Sequence, residues 1–240
     1  INKGRVDEAH AIVSRLEAEA GLPVAEKAVV AQAASKEPLR FGQLWQPPFA
    51  KRTLMLWLIW FGIVFSYYGI FTWLPKLLVD QGYTVIKTFE YVLVMILAQL
   101  PGYFAAAVLV EKIGRKATLA GFLFACAICA YFFGQGGSVT AVVVWGCLMS
   151  FFNLGAWGVL YTYTPELYPV RFRAFGSGWA GAVGRVGGIL APMAVAALIT
   201  QPDGFSKIFM MFTGVLLAVV AVIVLLGEET RGRTLEDISS

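Results

Sequence analysis

Charged residues are scarce in this chain: Asp, Glu, Lys and Arg make up 14% of its 240 residues, against about 25% in an average soluble domain. No Asp or Glu falls in the middle of any long apolar run. Cysteine is limited to Cys126, Cys129 and Cys147, all within apolar runs, and histidine to His10. The Cys126/Cys129 spacing therefore reads as packing thiols, and His10, in a polar leader, has no place in proton coupling. No metal-ligand cluster, nucleophile-base pair or phosphate-cradling glycine loop occurs, so the sequence does not read as an enzyme, and neither metal nor cofactor is expected. What is abundant is apolar. With 58% hydrophobic residues and a mean hydropathy of +0.71, the chain reads as a membrane protein.

Six apolar stretches are long enough to cross a bilayer, at about 54–79, 89–110, 117–134, 139–163, 176–200 and 206–227. Backbone polar groups must be satisfied inside lipid, so these are helices. A leader of residues 1–50 precedes them, with an amphipathic helix over Asp7–Ala20 and a second short helix over Ala28–Ala34; residues 228–240 form a tail. The chain opens on Ile1 with no signal-like segment and reads as a piece of something longer.

The 19 Lys and Arg residues set orientation rather than marking a nucleic-acid partner. Eight precede the first span; Lys112, Arg115 and Lys116 follow the second, Arg171 and Arg173 the fourth, and Arg231 and Arg233 the sixth. The opposite side has Lys76, Lys87 and Lys207. The positive-inside rule then places both termini in the cytoplasm.

The remaining basic residue, Arg185, sits about nine residues into the fifth span, roughly 13 Å deep at ~1.5 Å per residue. A charge there costs on the order of 2.5–3.5 kcal/mol even on lenient insertion scales. It is therefore the leading functional candidate, and its counter-charge must come from a ligand or from residues outside these spans. Gly178, Gly181, Gly188 and Pro192 share its face, while Gly184 and Gly188 also fit close helix packing. Spans 117–134 and 206–227 are nearly free of polar residues and read as peripheral, lipid-bathed helices. The other four hold Tyr67 and Tyr68, Gln99, the series Asn153, Trp157 and Tyr161, and Arg185, and are expected to line a cavity. Each of these polar groups has a bland alternative as a satisfied core residue. Glu90 falls at the membrane edge, as a rim carboxylate rather than a proton carrier.

The loop Ala107-Val-Leu-Val-Glu111-Lys112-Ile-Gly114-Arg115-Lys116 resembles the cytoplasmic signature loop of the major facilitator superfamily, with Ala and Glu in place of its usual Gly and Asp. Pro165-Glu166-Leu-Tyr-Pro169 with Arg173-Ala174 and Gly176 resembles the loop after that family's tenth helix, and Glu229-Thr230-Arg231-Gly232 the motif after its twelfth. Gly4-Arg5 through Glu8-Ala9 is similar to the segment after the sixth. The resemblance covers essentially the whole chain. It implies an all-α membrane protein whose six helices are the C-terminal half, helices seven to twelve, of a twelve-helix bundle, with the N-terminal half as partner. Glu111, Gly114, Arg115, Glu166, Arg171, Arg173, Glu229 and Arg231 would form a gating latch on the cytoplasmic face; the bland reading is a positive-inside anchor.

The first span lacks the Gln-Gln pair and the Asn that sugar porters of this family carry in their seventh helix. Tyr161-x-Tyr163-Thr-Pro-Glu and Gly184-Arg185-Val-Gly187-Gly188 look more like the nicotinate-transporter and metabolite:proton symporter group and its organic-ion relatives, in which a basic residue at the Arg185 position goes with anionic substrates. The resemblance implies a bacterial inner-membrane secondary transporter for a small organic anion such as nicotinate or a benzoate-like acid, coupled to protons. Arg185 would take the carboxylate, Tyr67, Tyr68, Trp157 and Tyr161 the ring, and Gln99 and Asn153 a ring nitrogen or hydroxyl. A sugar or polyol porter, and a six-span fragment without transport of its own, remain as alternatives.

Overall fold

The computed structural model describes residues 6–20 and 39–232. Residues up to Arg40 form one unit and residues from Phe41 a second. In the first, helix α1 (Val6–Glu19) carries an i,i+4 Arg15–Glu19 ion pair at 3.0 Å and leaves Ile12, Val13 and Leu16 exposed. The short helix expected over Ala28–Ala34 and the His10 side chain lie outside the described residues.

The second unit begins with a 3-10 turn, Phe41–Trp45, followed by helices α2 (Phe49–Asp80), α3 (Val85–Leu97), α4 (Gln99–Ile113), α5 (Arg115–Gly134), α6 (Val139–Glu166), α7 (Val170–Ile199) and α8 (Gly204–Leu226). The turn belongs to the bundle rather than to the leader. Leu44 is fully buried, its carbonyl accepts from Thr53 Oγ1, and Phe41 and Trp45 pack on Trp57. The boundary therefore falls near residue 40, ahead of the expected 50.

Among the described residues, six segments are long and apolar enough to span a membrane, with α3 and α4 forming one of them, Val85–Ile113. That span is broken at Ala98. Pro101 has no N–H for the Leu97 carbonyl four residues back, and its ring crowds that carbonyl, so the ladder cannot run through. The fifth span begins earlier than its glycines indicate, at Val170, which puts Arg185 at the middle of α7.

The helices pack in the spatial order α4, α6, α5, α8, α2, α7, with α3 extending α4 along α6. Two glycine crossings set the closest approaches. At Gly102 and Gly155 the backbones of α4 and α6 come so near that a Cβ would strike the Phe151 carbonyl or the Phe122 ring. At Gly184 and Gly187, α7 lies directly on Trp60, Phe61 and Val64 of α2. α5 is not merely peripheral: Leu119, Leu123, Cys126, Ala127 and Ala130 are buried between α6 and α8. Its lipid-type surface is the remaining face, Phe124, Ile128 and Phe132, continued on α8 by Met210, Leu217, Val224 and Leu225.

Because successive spans alternate in direction, the start of α2, the α4–α5 and α6–α7 connections and the segment after α8 meet at one end, called here the basic end. The opposite end is closed by Thr84 and Ser138, whose hydroxyls accept from Lys87 N and Ala141 N to cap α3 and α6.

Candidate substrate site

Tyr67 and Tyr68 of α2 and Trp157 and Tyr161 of α6 come together as the sequence predicts. Ring centroids lie 5.6 Å apart for Tyr67–Trp157, Trp157–Tyr161 and Tyr67–Tyr68. A residue absent from the sequence-based set completes the wall: Trp60 stands edge-on to both Trp157, at 5.8 Å, and Tyr161, at 5.4 Å, and donates its Nε1 hydrogen to Thr164 at 3.0 Å. Trp60 lies seven residues before Tyr67, two helical turns on the same face, and that spacing was the available signal. Seven tryptophans in an apolar chain hid it. Tyr161 and Tyr68 keep an exposed face, whereas Trp157 is buried with its Nε1 unpartnered. Across Gly158 lies the half-exposed ring of Tyr103 from α4.

Asn153 does not join this wall. It is 1% exposed, and its amide nitrogen contacts Cys126 Sγ of α5 at 3.6 Å, while its Oδ1 has no partner. A four-residue step turns a helix by about 400°, so an i, i+4, i+8 series drifts roughly 80° from first to last. That rotation carries Asn153 into the bundle when Tyr161 faces the opening. Gln99, first residue of α4 after the break, is half-buried with an unpartnered Nε2.

Arg185 is exposed, and no hydrogen bond or ion pair holds it among the described residues. Its level is fixed by its neighbours. Gly184 touches Trp60 and Val64, and Gly188 touches Val64 and Tyr68, so the guanidinium springs from α7 between the Trp60 and Tyr68 layers. Gly188 thus serves packing on α2 rather than open space. Gly178 and Gly181 do the opposite, since a Cβ at either position would meet nothing within 4 Å. Gly178 lines a cavity of about 520 Å³ with Trp60, Tyr161, Thr164 and Ser177. Arg185 lies seven residues on, about 10 Å farther along α7 and within about 20° of the same face, and is not one of the residues that line this cavity.

At the basic end, Glu229 closes α5. Its carboxylate accepts from the backbone of Arg115 (2.8 Å), Lys116 (3.1 Å), Thr230 (3.0 Å) and Arg231 (3.1 Å). An anion at a helix N-terminus meets both free N–H groups and the positive end of the dipole. Gly114, at φ 97°, makes this possible, since any side chain there would collide with the Glu229 carboxylate. Arg115 forms ion pairs with Glu166 (3.1 Å) and Glu111 (3.2 Å), and Thr230 Oγ1 donates to Glu166. A pair the sequence did not reveal, Arg52–Glu228 at 2.9 Å, ties α2 to the segment after α8, and Tyr163 Oη donates to the Glu228 carbonyl. Thr53 and Tyr168 hydroxyls lie 2.9 Å apart nearby, and burial pushes the Tyr168 phenol up.

Among the described residues, Arg173 and Arg231 form no side-chain ion pair with the carboxylates of the expected latch. Arg173 donates through Nε to the Pro165 carbonyl at 3.0 Å instead of meeting a carboxylate. Arg231 is exposed and contributes its backbone N–H. Arg171 lies 5.7 Å from the centre of the Phe172 ring.

A family model described as sugar (and other) transporter matches residues 1–240. The chain belongs to that family of the major facilitator superfamily. It is a multi-pass membrane protein, and its fold is a six-helix half of the facilitator bundle. It is 67% identical over 238 residues to the niacin transporter NiaP of Acinetobacter baylyi, covering 99% of this chain and 54% of that protein. It is 50% identical over 193 residues to a Bacillus subtilis protein named "Putative niacin/nicotinamide transporter NiaP", covering 80% of this chain and 48% of that one. Organic cation/carnitine transporter 7 of Arabidopsis thaliana is 31% identical over 234 residues, 91% of this chain and 46% of that protein. The chain spans about half the length of the curated relatives it matches.

Proposed function

We propose that this chain is the substrate-binding C-terminal half of a secondary transporter that carries an aromatic monocarboxylate, nicotinate first, by alternating access. One observation carries the reading. A guanidinium at the middle of a membrane helix has no protein partner among the described residues, and its helix packs beside the cluster of Trp60, Tyr67, Tyr68, Trp157 and Tyr161. A carboxylate on an aromatic ring satisfies both features, since Arg185 can bind it in bidentate fashion while Trp60, Tyr67, Tyr68 and Tyr161 take the ring faces and edges. The niacin specificity in the name of the 67% identical relative supports this choice over a sugar, which has no charge for Arg185.

The basic end faces the cytoplasm of a bacterial inner membrane in this proposal, and the Glu229, Glu166 and Arg115 clasp holds that side closed until it opens. Proton coupling would use a carboxylate outside these six spans. The test is uptake of labelled nicotinate by the full-length protein, with glucose, benzoate and nicotinamide as competitors. Competition by benzoate and not glucose is expected; competition by glucose alone, or wild-type uptake with Arg185→Ala, sinks the proposal. Collapse of uptake on adding a protonophore checks coupling.

A further inference from the structure

Trp60 of α2 is the ring on which both neighbouring helices converge. α6 meets it with Trp157, 5.8 Å away at 90°, and with Tyr161, 5.4 Å away at 84°. α7 meets it at Gly184, one residue before Arg185, where a Cβ would come 3.3 Å from the ring carbon Cε3. An indole turns about two side-chain bonds, and apolar contacts of this kind accept it in more than one orientation. Its single polar atom selects among them. Nε1 donates to Thr164 Oγ1 at 3.0 Å, with Trp60 8% and Thr164 1% exposed. The Thr164 hydroxyl donates in turn to the Leu160 carbonyl at 2.7 Å, as a helical threonine can. That bond uses its one hydrogen and leaves the oxygen to the indole as a pure acceptor. Trp57, Trp73 and Trp157 show the contrast, since each buries an Nε1 that has no partner. Of these four rings, Trp60 is the one whose orientation a hydrogen bond fixes.

We infer that Thr164 is a positioning residue for substrate recognition. It acts through Trp60 rather than by contact with the ligand: its oxygen holds the indole edge-on to Trp157 and Tyr161 and so sets which aromatic ring the wall accepts. The inference rests on the function proposed above, in which these side chains take the ring of an aromatic monocarboxylate. Thr164→Val keeps the shape and removes the acceptor, which strands a buried N–H and costs more than the bond alone. The indole then turns toward another acceptor and the wall loses its form. Thr164→Ser keeps the acceptor and gives up only a methyl group.

The test is uptake of labelled nicotinate by the full-length protein carrying Thr164→Val, Thr164→Ser, Trp60→Phe, or Thr164→Val together with Trp60→Phe. Fluorine NMR of the same proteins labelled with fluorotryptophan reads the ring directly, and the resonance missing in Trp60→Phe is that of Trp60. Thr164→Val is expected to raise KM about tenfold, the change that ~1.4 kcal/mol gives, at nearly constant maximal rate. Thr164→Ser should restore most of the loss. The double variant should be no worse than Trp60→Phe, because both changes remove one bond. Naphthoate should compete better, relative to benzoate, against Thr164→Val than against wild type. The Trp60 resonance should be single and sharp in wild type and Thr164→Ser, and shifted or broadened in Thr164→Val. A Thr164→Ser protein as impaired as Thr164→Val, losses that multiply in the double variant, a lower maximal rate at unchanged KM, or an unmoved Trp60 resonance overturns the positioning role. A wild-type protein that takes up no nicotinate, with the resonance moved by Thr164→Val, keeps the hold of Thr164 on the ring and rejects the substrate reading alone.

Discussion

The carboxylates Glu111, Glu166, Glu228 and Glu229 at the basic end of the bundle are satisfied by protein, and the one charge at its middle is not. Glu229 accepts four backbone hydrogen bonds, Arg115 sits between Glu166 and Glu111, and Arg52 meets Glu228. Halfway along α7, Arg185 has no partner among the described residues, and around the same depth Gln99, Ser150, Asn153 and Trp157 each keep an unbonded polar atom. The first arrangement costs little because the helix ends supply complementary dipoles and water is near. The second would be costly in lipid, and in the function proposed above a ligand satisfies it. The basic end is thus tied together within the chain, and the middle is, in the function proposed above, the binding surface.

The sharpest way to break this contrast is Arg185→Ala in the full-length protein. A charge-assisted bidentate pair is worth about 1.5–3 kcal/mol, so nicotinate uptake efficiency should fall roughly 10–100-fold, with thermal stability unchanged or raised. Arg185→Lys should recover part of the loss. A fall in Tm instead would mean that Arg185 is structural, as the basic-end residues are. Next in size, Glu229→Ala removes the cap of α5, costs about 0.5–2 kcal/mol and lowers Tm by several degrees without changing KM for nicotinate. A changed KM would erase the distinction between the two regions.

Glu166→Gln loosens the half-buried pair with Arg115 and should slow uptake a few-fold, on the order of 1 kcal/mol, while expression is kept. Wild-type uptake there would reduce the clasp to an anchor. Smallest of all, Arg231→Ala should change stability by no more than about 0.5 kcal/mol, because the Arg231 side chain is exposed and its backbone makes the contact. A Tm loss equal to that of Glu229→Ala would restore the side chain to the clasp.

Much of this was legible in the residues. The six spans, and the grouping of acidic and basic loop residues at one end, follow from apolar length and loop motifs, while the Tyr67–Trp157 and Glu166–Arg115 pairings come from the packing. Asn153 was misplaced because a four-residue repeat drifts around a helix that must also pack against α5. The break at Ala98 was visible in Pro101, though apolar length alone hides it. Arg52–Glu228 was out of reach, since 176 residues separate the partners and no local pattern announces the pair.

The sequence by itself determined that this is a membrane bundle, which loops share an end, and that one charge lies where lipid cannot solvate it. Those properties depend on composition, length and depth, which a linear pattern carries. Only the tertiary structure decided which face each polar residue presents: Trp60 and Thr164 onto the cavity, Asn153 away from it, Glu229 onto a helix it does not belong to, and Arg173 into an open space. Faces are settled by which helices touch, and close glycine crossings between distant segments fix those contacts.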